Sequence, residues 1–417
     1  MTALQEANYG PFREGTNMRK ITLLAGAAAL ALSMGVATPS QAADEDIVIG
    51  FAIALSGWMN QYDGPPSRSA KMAIDDINEA GGVLGGRKFT FTQSDTKSEA
   101  AEGARAGQEV IADGANFMIV SCDYDMGAAA ATVANSNEMV VISLCASDAK
   151  MGVQGIGPYA FTMSNSSLTS GAVIAEWAWN KKGWKTAYNL LDTSIEYDKA
   201  ICAGFKTRFE KLGGVMLGED TFKQDDASIA SQITRFKQVS EEKGTPDLLH
   251  VCSYGAGANA AIRQIRAAGI DTPISGGDSM DGDYWTEAIG NLNDHYTGTY
   301  GSVFGDDPRP RVNEFFDRYE EVHGERVCCS FALSGYSIIQ ALAIAIDRAG
   351  TIDSDAVLAE LNKFDKEPLL VGPTTFTPDL HINLERPQAI IGIKDGKGYF
   401  VDLIQLPEPP PLQLIFK

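Results

Sequence analysis

Three groups of residues in this chain have types and spacings that could do chemistry. The stretch Cys122-Asp123-Tyr124-Asp125 follows the apolar run Phe117 to Val120 and precedes a row of alanines. Two carboxylates and a phenol at the mouth of a buried strand can accept hydrogen bonds or hold positive charge. Gly255-x-Gly257-x-x-Ala260, between an apolar strand and a helix and with Asp278 further on, imitates a dinucleotide fingerprint. It would support an exported NAD(P)- or flavin-binding oxidoreductase. The four histidines, His250, His295, His323 and His381, fall in separate elements without H-E-x-x-H or G-x-S-x-G, and no P-loop occurs. Each histidine therefore reads as structural, and the expectation is a protein that is not an enzyme and needs neither cofactor nor metal.

Those groups need elements to position them. At 417 residues the chain exceeds the size at which one core keeps growing, so two lobes are expected. Residues 1–42 read as a leader: Arg19 and Lys20, an apolar run from Ile21 to Val36, then small residues ending at Ala42. The pattern itself begins at Met18. It implies export to the periplasm, and because no cysteine lies in it, a soluble product without a lipid anchor. A net charge of −20 argues against nucleic acid and anionic lipid as partners. Six cysteines, Cys122, Cys145, Cys202, Cys252, Cys328 and Cys329, then meet a compartment that permits disulfides. Cys122 and Cys145 each end a predicted strand, and neighbouring strand ends can bring them within bonding distance. Cys328-Cys329 reads as a pair of buried thiols.

Strand-like runs alternate with amphipathic helices almost throughout, which predicts parallel sheets with helices on both faces. The first series runs from "IVIGFAIAL" (47–55) through "KFTFTQSD" and "FMIV" to "MVVIS" (139–143). A second series starts after "YAFTMSNSS" (159–167), with strands "TAYNLL", "GVMLGE", "DLLHVCS" and "TPISG" and helices between them. Helices are expected again over 311–323, 331–348 and near 356–362, closed by two short strands, "TTFTP" and "QAIIGIKDGKGYFVDL". The fold class is α/β.

The leader, the opening "IVIGFAIALSGWMNQYDGP" and the helix end "AKMAIDDINEAGGVLGGRKFTFTQSDT" resemble the periplasmic leucine/isoleucine/valine-binding family, receptors of ABC importers. The likeness spans about Ile47 to Leu403. It implies two Rossmann-like lobes joined by a three-crossing hinge, the crossings near 161–165, near 297–302 and between 366 and 388. The corresponding division is 44–163 for the first part of lobe 1, 164–298 for lobe 2, 299–370 for the second part of lobe 1, and 371–417 for the final crossing, last strands and tail. The resemblance also implies a ligand site: Ser147 on a ligand carboxylate with backbone groups of Cys145 and Ala146 beside it, aromatic cover from Trp58 and Tyr62, further aromatics at Tyr197 and Tyr254, and Asp278 as the acid for an ammonium.

At Asp123, Tyr124 and Asp125 the chain departs from that family, which commonly carries Ser, Gly or Thr there. A buried carboxylate beside a ligand carboxylate is disfavoured. Two other solutes suit these acids and the rings of Trp58, Tyr62, Tyr124 and Tyr254: a polyol or sugar, and a cationic amine. A plainer reading has Asp123 capping the next helix and Asp125 facing solvent. The expected partners are a small polar solute (amino acid, polyol or amine) and ABC permease subunits, or a membrane receptor if the protein is a sensor. No nucleic acid is expected, and the chain should be monomeric.

Overall fold

The computed structural model describes residues 45–415, so the leader expected over 1–42 lies outside the described residues. In chain order the first series is β1 (Ile47–Ile53), α1 (Asn60–Glu79), β2 (Phe89–Asp95), α2 (Gly103–Ala112), β3 (Phe117–Val120), α3 (Tyr124–Ser136), β4 (Val141–Ser143) and β5 (Ala160–Thr162). These five strands form one all-parallel sheet in the order β2-β1-β3-β4-β5. β3, β4 and β5 are buried at every residue, as parallel strands covered on both faces require.

The second series is α4 (Ser167–Trp177), β6 (Thr186–Asp192), α5 (Glu196–Lys211), β7 (Val215–Phe222), α6 (Ala230–Lys243), β8 (Leu248–Cys252), α7 (Gly255–Ala267), β9 (Ile274–Gly276) and β10 (His295–Thr299). The chain then returns to the first sheet with α8 (Pro310–His323), α9 (Ala332–Ala349) and α10 (Ser354–Leu361). A two-stranded ribbon of β11 (Glu367–Leu369) and β12 (Gly372–Thr374) follows, and β13 (Gln388–Lys394) and β14 (Lys397–Ile404) end the second sheet. Its order is β14-β13-β10-β9-β8-β6-β7.

Each sheet is covered on both faces. A core centred on Phe51, Phe161, Ile339 and Leu342 joins α1 and α9 to the first sheet, and small residues of α2 and α3 cover the other side. In the second lobe α6 and α7 bury Ile262, Ile265 and Phe236 on one face, while α4 and α5 bury Ile174, Phe205 and Phe209 on the other. α4 and α5 approach through glycines: a Cβ on Gly171 would stand 2.1 Å from the Ile201 carbonyl oxygen, and one on Gly204 2.1 Å from that of Leu168.

Three crossings join the lobes, and they are tied to one another. Ser164 Oγ lies 2.6 Å from Tyr300 Oη, and the buried Arg386 donates to the Met163 carbonyl and to Thr374 Oγ1, both at 2.8 Å. The fold is two α/β lobes on a three-stranded hinge.

Two strand expectations need correction. "QAIIGIKDGKGYFVDL" is a hairpin, β13 and β14 running antiparallel around Asp395 and Gly396, whose φ values of 51° and 75° fit the tight two-residue turn an Asp-Gly pair favours. "TTFTP" contributes only Thr374 to a strand. β10, fully buried but rich in Thr and Gly, carries no apolar run that would announce it, and it pairs antiparallel with β13. The second sheet is therefore parallel with an antiparallel edge.

Candidate functional site

A cleft enclosing about 410 Å3 of space, open solvent included, lies between the lobes. Nearly all of its wall comes from segments that leave the carboxyl ends of parallel strands, where open α/β sheets gather ligands. After β1 come Trp58, Met59 and Tyr62; after β3, Cys122 and Asp123; after β4, Cys145 and Ser147. From the second lobe Ile195 and Tyr197 follow β6, Tyr254 follows β8, and Asp278 and Ser279 follow β9. Phe331, just before α9, completes the wall.

Local bonds fix these segments. The fully buried Asp63, in the first turn of α1, accepts the Ala54 and Cys122 N–H groups, both at 2.8 Å, and the Ser121 hydroxyl. One carboxylate so ties the end of β1 to the end of β3. Cys122 and Cys145 are disulfide-bonded, joining the loops after β3 and β4. Cys202 and Cys252 form a second bridge, from α5 to the end of β8, which no sequence spacing signalled. Cys328 and Cys329 are free thiols with sulfurs 2.8 Å apart.

Asp123 caps α3, its Oδ1 accepting the Met126 N–H at 3.2 Å, and still faces the cavity. Burial, with Asp125 and then Asp63 nearby, pushes its carboxyl up to about 7. Burial likewise lifts Asp278 to about 6, against the Tyr197 hydroxyl that donates to its Oδ1 at 2.6 Å. The Ser279 N–H in turn donates to Tyr197 Oη at 3.0 Å. The rings of Trp58 and Tyr254, from opposite lobes, lie 5.6 Å apart.

The lobes also touch directly. The Gly255 N–H, at the start of α7, donates to Tyr62 Oη at 3.0 Å; the Glu196 N–H, at the start of α5, donates to Asp125 Oδ2 at 3.2 Å; and Lys150 pairs with Glu196 at 2.5 Å. Gln61 and Tyr284 are hydrogen-bonded across the gap as well. The conformer is closed.

Of the eleven residues singled out from sequence, eight line this one cavity: Trp58, Tyr62, Asp123, Cys145, Ser147, Tyr197, Tyr254 and Asp278. Three do not. Tyr124 turns its ring against the small-residue core beside α3, 5.9 Å from Lys150 Nζ. Asp125 neither lines the cavity nor faces solvent freely, since it bonds the opposite lobe. Ala146 is fully buried with its N–H spent on Ser143 Oγ and its carbonyl on Thr162 Oγ1, so it offers a solute nothing. Cys122, next to Asp123 on the same loop, also lines the cavity, and Met59, Ile195, Ser279 and Phe331 were missed. Ser279 adjoins Asp278 and could have been read with it; the other three are apolar residues that sequence cannot tell from core.

The dinucleotide-like turn has its space filled from within. A Cβ on Gly257 would sit 1.8 Å from Gln224 Oε1, and Gln224 Nε2 donates to the Tyr254 carbonyl at 2.9 Å. The Gly255 N–H, the first donor of that helix start, is likewise taken, by Tyr62 Oη. None of the four histidines lines the cavity. Burial lowers His250 and His295 to about 3 and His381 to about 4, which leaves them neutral at ordinary pH.

Two lobes whose facing strand ends enclose a small-molecule cavity define a bilobed solute-binding receptor. A family model described as periplasmic binding protein matches residues 46–397. The chain is 23% identical over 379 residues to Leu/Ile/Val-binding protein homolog 3 of Brucella melitensis, covering 90% of this chain and 98% of that one. Its fold matches the branched-chain amino acid transporter substrate-binding protein LivJ of Streptococcus pneumoniae in complex with isoleucine, with a TM-score of 0.75, 23% identity and coverage of 87% and 100%. It also matches a solute-binding protein of an ABC transporter from Rhodopseudomonas palustris BisB5 in complex with 3,4-dihydroxybenzoic acid, with a TM-score of 0.72, 21% identity and coverage of 88% and 99%. The chain belongs to the periplasmic binding protein family, in its leucine/isoleucine/valine-binding-like group. Among the described residues, no helix is long and apolar enough to cross a membrane.

Proposed function

We propose that this protein is a periplasmic receptor, without catalytic activity of its own, that captures one small polar solute between its lobes and delivers it to the permease of an ABC importer. The observation that carries this reading is a cavity walled by both lobes, with direct bonds between them at Tyr62–Gly255 and Asp125–Glu196. A solute touching both walls favours the closed conformer by its differential affinity, which is how binding becomes a signal to a permease. The names of the relatives support a receptor role and range from isoleucine to an aromatic acid, so the fold alone does not choose the solute. The filled turn at Gly257 speaks against the oxidoreductase alternative.

The test is a thermal-shift screen followed by small-angle scattering. A solute present at a hundred times its Kd should add ~2.7 kcal/mol of stability. The radius of gyration should contract when that solute is added. A stabilising solute that leaves the radius unchanged would sink the hinge mechanism.

A further inference from the structure

The cavity wall discriminates by charge. None of the residues lining it is Lys, Arg or His, while Asp123 and Asp278 reach it from opposite lobes. An anionic solute would therefore depend on free N–H groups, and helix starts at a cleft are where these are found. At three of these helix starts one N–H already meets an oxygen of this chain, which leaves the Ser147 hydroxyl and the remaining first-turn N–H groups as the donors for an anion. Asp123 Oδ1 holds Met126 N–H on α3, Asp125 Oδ2 holds Glu196 N–H on α5, and Tyr62 Oη holds Gly255 N–H on α7. Lys150 and Lys199, beside the cleft, are both paired with Glu196, at 2.5 and 2.7 Å.

Carboxyl groups, by contrast, are in excess. Asp198, in the first turn of α5, is fully buried with neither carboxylate oxygen hydrogen-bonded. Asp192, Asp123 and Asp125 add to the cost of ionising it, and Lys199 opposes them. The rings of Tyr254, Trp58, Tyr62 and Phe331 follow one another at centroid distances of 5.6, 6.4 and 6.1 Å. Ring faces next to carboxylates attract a cation with an apolar surround. A polyol is served less well, because two of the three phenols in the wall are committed: Tyr62 to Gly255 and Tyr197 to Asp278 and Ser279.

From this wall we infer that the solute is an organic cation, an alkyl or quaternary ammonium without a free carboxylate, its charge set between Asp123 and Asp278 and its apolar body on Trp58, Tyr62 and Tyr254. The inference rests on the receptor reading and names the solute class of that same cavity. Asp123 and Asp278 are then the residues that set specificity.

The test is calorimetric titration of the mature protein with a matched series: isoamylamine, leucine, 4-methylpentanoate and isoamyl alcohol, together with choline and tetramethylammonium. The ammonium compounds should bind, isoamylamine at least about tenfold more tightly than leucine, and 4-methylpentanoate should not bind. Asp123→Asn and Asp278→Asn should each weaken the amine roughly tenfold to a hundredfold and weaken the alcohol far less. A purely structural role for either acid would shift amine and alcohol together. Leucine or 4-methylpentanoate binding as tightly as the amine overturns the inference, as does failure of every ammonium compound at millimolar concentration. If a neutral or anionic solute then closes the lobes in scattering, the receptor reading survives and only the charge class falls. If no solute does, both fall.

Discussion

Asp123 serves two purposes with one carboxylate. It satisfies a backbone donor of α3 and presents its remaining lone pairs to the cavity, so the capping and ligand readings of this residue are compatible. Burial makes that arrangement sensitive to pH. An acid whose folded pKa is raised favours the protonated, folded form; its contribution is complete below about 4 and is lost as pH rises through the folded value. For Asp278 that value is about 6 and for Asp123 about 7, while Asp198 is raised well above the carboxylate range. The paired carboxylates Glu196 and Asp95 are shifted the other way and act only at more acidic pH. Below about 7 the buried histidines His250, His295 and His381 oppose this, since their unfolded forms take up protons that the folded ones refuse, so the unliganded protein should melt at lower temperature as pH is raised from about 7 to about 8. Asp123→Asn should flatten the upper part of that slope. A melting temperature that climbs steadily across the range would contradict this. Polar and aromatic members of the wall were legible because their types have few other uses at strand ends. Asp63 was not, because an acid inside a helix start looks the same whether it faces water or two strand ends.

At the level of elements, the contact between α4 and α5 is set by what is missing from it. Gly171 and Gly204 each face a backbone carbonyl of the other helix, and a backbone atom cannot swing aside as a side chain would. Gly171→Ala or Gly204→Ala should cost ~1 to 3 kcal/mol through forced separation of the helices. The double variant should cost less than the sum, because one separation relieves both contacts. Urea denaturation would measure this, and solute affinity should change little since neither residue lines the cavity. Single costs too small to resolve would show that the helices slide apart freely. Strands such as FMIV and helices such as α7 were readable because period and length agree. β10 was not, since its burial comes from neighbours on both sides and its Thr and Gly residues carry no apolar signature of their own.

For the whole molecule, closure combines solute contacts with the protein's own bonds between lobes. Tyr62→Phe keeps the ring beside Trp58 and Phe331 but removes the acceptor of the Gly255 N–H. Loss of one such bond should speed solute release roughly twofold to tenfold, with association little affected, because entry occurs from the open form. Stopped-flow displacement would report it; an unchanged release rate would mean that bond is absent from the closed state in solution. The two-lobe plan was readable from the doubled strand and helix series. The knot of Arg386, Met163, Ser164 and Tyr300 was not, because it unites residues more than a hundred positions apart whose types suggest no partner.

The bridges Cys122–Cys145 and Cys202–Cys252 each join a cysteine to the very next one along the chain, with separations of 23 and 50 residues. Neither spans the two jaws. A polypeptide threaded amino end first into an oxidising compartment could close each bridge with the first thiol to emerge after its partner. No reshuffling of earlier pairings would then be required, and each jaw could be stapled while the joint between them stayed free to swing.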